Sequence, residues 1–151
     1  MDIIKLLHEE EGFRSKPYIC SEGYPTVGIG QRIGPKGASL SMYEFTVNER
    51  TAQAMLTDKL SSTVKGLIDK LPVYNELDQS RKTILISMAY QMGITGLLKF
   101  KNMIKALECG NYEEAGKQAL DSRWAKQTPK RAFRHAAVLK NGTMKAAYKA
   151  D

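Results

Sequence analysis

The sequence predicts an α+β fold: a helix, a small sheet, one long helix and then a helical bundle. Three observations predict it. Turn formers mixed with aromatic and β-branched residues crowd into 16–33. A capped apolar stripe at helical spacing begins at 49, and helical segments follow from Pro72. Strands followed by runs of helices mean α+β, not a doubly wound parallel sheet.

Each element has its own signal. Ile3, Ile4 and Leu7 fall on one helical face; Asp2 can cap the start and Gly12 can close the end, which gives a helix over 2–11. Between Lys16 and Ile33, Pro17, Gly23, Pro25, Gly28 and Gly30 alternate with Tyr18, Ile19, Tyr24, Thr26, Val27 and Ile29. That mixture reads as short strands in a meander, with Ser21-Glu22-Gly23 as the first turn. Pro35 to Leu40 is a loop. Asn48 caps a helix from Glu49 to about Ile68, with Ala52, Met55, Leu56, Leu60, Val64 and Leu67 as its stripe. Beyond Pro72 the helical segments are Leu77 to Met92, Gly96 to Phe100, Asn102 to Leu107, Tyr112 to Leu120 and Pro129 to Leu139. The chain is therefore one domain in two lobes. A sheet lobe covers about 13–47, a connecting helix about 49–68, and a helical lobe about 70–151, with helix 2–11 packing on the helical lobe. A groove between the lobes is the expected ligand site.

Composition narrows the function. The 151 residues are 42% apolar and 26% charged, which fits a folded core rather than disorder. No apolar run approaches the ~20 residues of a membrane span. Met1 to Leu7, carrying Asp2 and Lys5, is too short and too charged for a signal peptide. A soluble cytoplasmic chain with no stable membrane insertion is expected. Two cysteines exclude a disulfide framework, and neither sits in a Cys-x-x-Cys pattern. The formal charge is +7, and Arg123 to Asp151 alone hold eight Lys or Arg against one acid. Such a pole suits a polyanion, whether nucleic acid, anionic membrane or cell-wall polymer; it also reads as a solvated basic face.

Several chemistries are excluded. Gly28-Ile29-Gly30 lacks the third glycine at the spacing of a dinucleotide loop, and no Walker loop exists. His8 and His135 are too few and too distant for a metal site, and each reads as a surface or interlobe residue. No metal and no cofactor are expected. The positive signal is Glu11, in the last turn of the first helix, beside Glu9 and Glu10. The negative helix end and two neighbouring carboxylates favour its protonated form, as a general acid requires. The same three glutamates also read as an exposed helix end.

Glu11-Gly12, Tyr18 and the run Glu22-Gly23-Tyr24-Pro25-Thr26-Val27-Gly28-Ile29-Gly30 closely resemble the amino-terminal motif of T-even bacteriophage lysozymes, glycoside hydrolase family 24. Pro72-Val73-Tyr74, Tyr90-Gln91-Met92-Gly93, Ser122-Arg123-Trp124 and Gln127-Thr128-Pro129 continue the resemblance, in order, over nearly the whole chain. Arg32 to Val47 is shorter than in relatives. The resemblance implies a lysozyme-like fold and a monomeric muramidase. It would cut the β-1,4 bond between N-acetylmuramic acid and N-acetylglucosamine in the glycan strands of peptidoglycan. It further implies accumulation in the host cytoplasm and release to the wall in the periplasm through a membrane pore made by a separate phage protein.

The resemblance also carries site residues. Glu11, Cys20 and Thr26 fall on the family's catalytic set, with Cys20 where aspartate is usual. Glu22, Gln91 and Arg123 match cleft residues that can bond sugar hydroxyls and acetamido groups. Tyr90 replaces a phenylalanine and can stack on a sugar; Arg32, Met103 and Gln118 occupy cleft positions but differ in type. Arg131 matches an arginine that pairs with the catalytic acid. Trp124 and Met55, Met88, Met92 and Met103 read as core, and Cys109 as a structural or surface thiol.

Cysteine at position 20 leaves several chemistries open. Glycosidases usually flank the bond with two carboxylates, and an inverting pair leaves room for water. A thiolate can accept the water's proton, a neutral thiol can only orient it, and a thiolate attacking the anomeric carbon would give retention. A structural cysteine in a strand would leave an inactive wall-binding module. A basic nucleic-acid-binding protein is the other alternative, though no binding motif backs it. On the muramidase reading the basic pole draws the enzyme to anionic envelope polymers. The rate of lysis of permeabilised Gram-negative cells, followed by turbidity, is then expected to fall as salt rises above physiological strength. A rate flat over that range would remove the electrostatic role.

Overall fold

A computed structural model describes residues 1–149; positions 150–151 of the expected helical lobe lie outside the described residues. Helix α1 is Ile3–Glu11. A three-stranded antiparallel sheet follows in the order β1 (Arg14–Ile19), β2 (Pro25–Gly28), β3 (Gln31–Arg32). Then come α2 (Glu49–Lys70), α3 (Gln79–Leu98), α4 (Lys101–Glu108), α5 (Tyr112–Leu120), α6 (Arg123–Gln127) and α7 (Pro129–Asn141). This is the α+β layout that the sequence predicts. No single helix among the described residues is long and apolar enough to cross a membrane.

The chain divides into two compact units. One is continuous, Ile4–Ser61; the other joins Met1–Ile3 to the chain from Ser62 onward. Helix α2 crosses the boundary. From Ile4 on, α1 groups with the sheet, whereas the sequence reading packs helix 2–11 on the helical lobe.

In the sheet unit, the core stripe of α1 is Leu6 and Leu7, both fully buried, while Ile4 is 40% exposed. The expected stripe is thus rotated by one position. Gly12 N–H closes the helix on the His8 carbonyl, 3.1 Å away. The first hairpin turns where expected: Gly23 N–H donates to the Cys20 carbonyl across Ser21 and Glu22, at 2.9 Å. Strand β2 is buried along its whole length. Asn48 caps α2 by accepting from Thr51 N–H at 2.8 Å. Ala52, Leu56, Leu60 and Leu67 of the expected stripe are buried, and Thr63 joins them.

In the helical unit, Asp78 caps α3. Gly93 (φ 82, ψ 162) breaks that helix, where the sequence reading also ends a segment. Ser122 caps α6, a short helix the sequence reading leaves as a connector. Helix α5 packs on α4 and α7, which α6 and α3 also contact. At the α5–α7 crossing, Gly116 lies so close to the Ala136 carbonyl that a Cβ would sit 3.0 Å from its oxygen. Arg81, buried, binds Asp78 at 2.8 Å and donates to the carbonyls of Leu139 and Lys140 at 2.7 and 3.2 Å. It thereby satisfies acceptors that the end of α7 leaves open.

His135 is neither a surface nor an interlobe residue: it is fully buried in this unit. Its Nε2 meets Ser87 Oγ at 2.7 Å, and its Nδ1 meets the Tyr148 hydroxyl at 2.8 Å. Arg131 donates to Ser87 Oγ at 2.9 Å. A neutral imidazole, one nitrogen donating and one accepting, completes this chain of bonds. Burial, with the charges of Arg131 and Arg134, holds the His135 pKa well below the ordinary histidine value. The unfolded chain, with a histidine pKa of about 6.5, takes up a proton that the folded protein refuses. Stability is therefore expected to fall as pH drops below about 6.5 and on toward the depressed folded value. Thermal melts from pH 7 to pH 5 check this, and His135→Gln should flatten the slope even where it lowers the melting temperature throughout.

Candidate active site

The register of the sheet decides which side chains share a face. Arg14 pairs with Gly28, the ladder then breaks, and it resumes with Tyr18 opposite Thr26 and Ile19 opposite Pro25. An unbroken ladder would set Lys16 against Thr26. The break contains Pro17, which has no N–H to give the ladder, and the bulge brings Tyr18 there instead. Cys20 N–H donates to the Tyr24 carbonyl at 2.9 Å, which extends the pairing by one step. On the far side Thr26 pairs with Arg32. Facing residues and residues two apart point the same way. Tyr18, Cys20, Tyr24, Thr26 and Arg32 therefore line one face.

Each of these groups is held. Thr26 is 2% exposed, and its hydroxyl donates to the Tyr24 carbonyl at 2.8 Å. That commits the proton and leaves the oxygen as an acceptor. The Arg32 guanidinium lies 3.7 Å over the Tyr24 ring and donates to Glu22 Oε2 at 2.8 Å. Cys20 is a half-buried thiol at the start of the hairpin turn. The Arg14 guanidinium sits 4.4 Å over the Tyr18 ring. The Tyr18 pKa is raised by burial and then by the charge of Glu11; Arg14 opposes the shift and Cys20 adds to it.

Glu11 ends α1 with its side chain against Gly30. A Cβ on Gly30 would fall 2.6 Å from Glu11 Cδ and 2.9 Å from Cγ. The backbone there is left-handed as well (φ +61). Position 30 thus needs glycine for space and for conformation. The Ile4–Ser61 unit holds Glu11, Cys20, Thr26, Glu22 and Arg32 together. The reading from sequence missed Tyr18 as a member of the row and Gly30 as the seat of Glu11. The signal for Tyr18 was its position two residues before Cys20 in a strand.

The other expected residues lie in the helical unit. Met103, Gln118 and Arg123 line one pocket of about 360 Å³, with Lys99, Lys101 and Trp124 among its other walls. Gln118 donates to Glu114 at 2.8 Å. Trp124 is buried, as expected of a core residue, and its Nε1–H donates to Gln91 Oε1 at 2.7 Å. Tyr90 is 1% exposed and lies in the core, which corrects its reading as an open sugar platform. Arg131 is buried on Ser87, so the basic carboxy-terminal stretch is not wholly a surface feature. Cys109 is exposed.

The chain belongs to the phage lysozyme family, whose profile matches residues 8–139. It is 32% identical to the pre-baseplate central spike protein Gp5 of Enterobacteria phage T4, over 97% of this chain but 29% of that protein. It is also 32% identical to Probable T4-type lysozyme 1 of Dictyostelium discoideum, over 93% of this chain and 95% of that one. The peptidoglycan hydrolase gp36 of Pseudomonas phage phiKMV is 33% identical over 85% of this chain and 14% of its own length. The chain thus spans only a minor part of the two phage proteins and nearly all of the Dictyostelium one.

Gly30→Ala is expected to cost about 1–2 kcal/mol in backbone strain and to push the Glu11 carboxyl from its seat. Urea unfolding measures the first effect. Hydrolysis of peptidoglycan by the folded variant measures the second, and it should fall further than the stability loss explains.

Proposed function

We propose that the protein is a muramidase that hydrolyses the β-1,4 bond between N-acetylmuramic acid and N-acetylglucosamine in peptidoglycan. The observation that carries this reading is the seating of the Glu11 carboxyl at Gly30 in the same unit as the Thr26 hydroxyl and the Cys20 thiol. Family membership and the names of the relatives support it.

Glu11 acts as general acid and gives its proton to the glycosidic oxygen as the bond to the anomeric carbon breaks. The attacking water donates one hydrogen to Thr26 Oγ1, whose own proton is committed to Tyr24. Cys20, in its thiolate form, accepts the other proton. The oxygen then adds to the anomeric carbon from the face opposite the leaving group, with inversion. The cycle ends with a carboxylate at Glu11 and a thiol at Cys20, and one proton transfer through solvent resets both. Glu22, Arg32, Gln91, Gln118 and Arg123 are proposed to contact the glycan strand; Met103, 1% exposed like Tyr90, belongs to the core instead.

The biological reading completes the proposal. A monomer accumulates in the host cytoplasm and reaches the wall in the periplasm once a separate phage pore protein has opened the inner membrane. Bacteriolysis then releases progeny.

Cys20→Ala removes the proton acceptor and is expected to slow turbidity clearance by on the order of 100-fold. Cys20→Asp should retain activity. In a Cys109→Ser background, iodoacetamide should abolish lysis, and a chitooligosaccharide should slow that loss. Near-full activity in Cys20→Ala would make the cysteine a bystander, and a retained product anomer would make it a nucleophile. A wild-type protein that binds purified peptidoglycan without cutting it would be an inactive wall-binding module instead.

A further inference from the structure

Two of the reacting residues are tied to a single backbone atom, the carbonyl oxygen of Tyr24. It accepts from the Cys20 N–H at 2.9 Å and from the Thr26 hydroxyl at 2.8 Å. A carbonyl oxygen has two lone pairs, so both bonds stand at once. The Cys20 backbone at the end of β1 and the Thr26 side chain on β2 are therefore set from one point. The Tyr24 ring is held in its turn. The Arg32 guanidinium lies 3.7 Å over it and donates to Glu22 Oε2 at 2.8 Å. Arg32 stands opposite Thr26 in the ladder between β2 and β3. Its side chain thus reaches from β3 back to the hairpin that carries Glu22 and Tyr24.

We propose that Tyr24 is a positioning residue: its carbonyl oxygen fixes the spacing between the Cys20 thiol and the Thr26 hydroxyl, and the grip of Arg32 on its ring keeps that oxygen in place. The proposal rests on the reading in which Thr26 and Cys20 handle the attacking water. That water must meet both groups at once, and a misplacement of about 1 Å is enough to cost on the order of 100-fold. The bond to Tyr24 also settles which way the Thr26 hydroxyl points. Turned elsewhere, it would offer the water its proton rather than its lone pair. The grip has the chemistry for its task. A guanidinium is planar, so it lies flat on an aromatic face while its edge donates to a carboxylate. An ammonium at position 32 would be a point charge with no plane to lay on the ring.

Tyr24→Leu removes the ring that Arg32 grips, whereas Tyr24→Phe keeps it. In Tyr24→Leu kcat is expected to fall roughly 10- to 100-fold, the scale of a misplaced reacting group, with KM within about twofold. Tyr24→Phe should stay close to wild type in both. In a Thr26→Ala background Tyr24→Leu should cost little more, because the group it positions is already gone. Equal losses in the Leu and Phe variants overturn the proposal, as does an effect confined to KM, which would make the ring a sugar contact. So does a full further loss in the Thr26→Ala background. A second readout needs no hydrolysis and does not depend on Tyr24→Leu folding: hydrogen exchange of the Cys20 amide, followed by NMR. In Arg32→Met it should speed up several-fold relative to the Val47 amide, which bonds the Ser15 carbonyl elsewhere in the same unit. A Cys20 amide that exchanges as in wild type overturns the grip. A wild-type protein that fails to hydrolyse peptidoglycan overturns the muramidase reading beneath the proposal, whereas an active wild type with an unmoved Cys20 amide in Arg32→Met overturns the proposal alone.

Discussion

The site depends on the volume that the Glu11 carboxyl group takes up at Gly30. The last turn of α1 can end against the bend between β2 and β3 only because that bend carries no side chain. Leu6 and Leu7, buried behind it, hold the helix there. Any Cβ at position 30 would force the helix end, the bend or the carboxyl group to move. The row from Tyr18 to Arg32 is built on the same three strands, so helix end and sheet face are placed by one close contact. The acid is thereby seated on backbone, which is more rigid than a seat made of side chains.

The helical unit solves a different problem: it buries cations. Arg81 and Arg131 are both buried, and a buried charge is costly unless it is bonded. Arg81 spends its donors on Asp78 and on the closing carbonyls of α7, with its plane 3.4 Å over Tyr112. Burial alone would raise the Asp78 pKa, but the hydrogen bonds and charge of Arg81 outweigh it and bring it below the usual carboxylate value. Arg131 donates from Nη2 to the carbonyl and the hydroxyl of Ser87, and that hydroxyl meets His135, while its buried Nε makes no hydrogen bond. Two positive charges counted along the sequence are therefore structural, and net charge overstates the basic surface.

Local signals were legible where one residue type has one job. The Asn48 cap, the turn across Ser21 and Glu22, and the breaks at Gly12 and Gly93 all follow from backbone chemistry within four residues. Glu11, Cys20 and Thr26 stand out in the sequence through their motif, and all three lie in the Ile4–Ser61 unit. What the sequence hid depends on residues far apart in the chain. Ile3, Ile4 and Leu7 form as good a helical face as Ile3, Leu6 and Leu7, and only the packing partner chooses between them. His135 looks like any solvated histidine until Ser87 and Tyr148 close on both its nitrogens. Tyr90 resembles a sugar-facing aromatic by position, yet it lies inside the core of the helical unit. The row around Tyr18 needed the bulge at Pro17, and strand pattern alone would have placed Lys16 there.

The two units differ in how the chain reaches them. The sheet unit is a single continuous segment, whereas the helical unit takes in Met1–Ile3 as well as everything from Ser62 onward. During synthesis the first can assemble while the rest of the chain is still on the ribosome. The second cannot finish until α7 has been made and Tyr148 has reached His135. The segment Met1–Ile3, which precedes the sheet unit in the chain, waits for the helices that follow that unit.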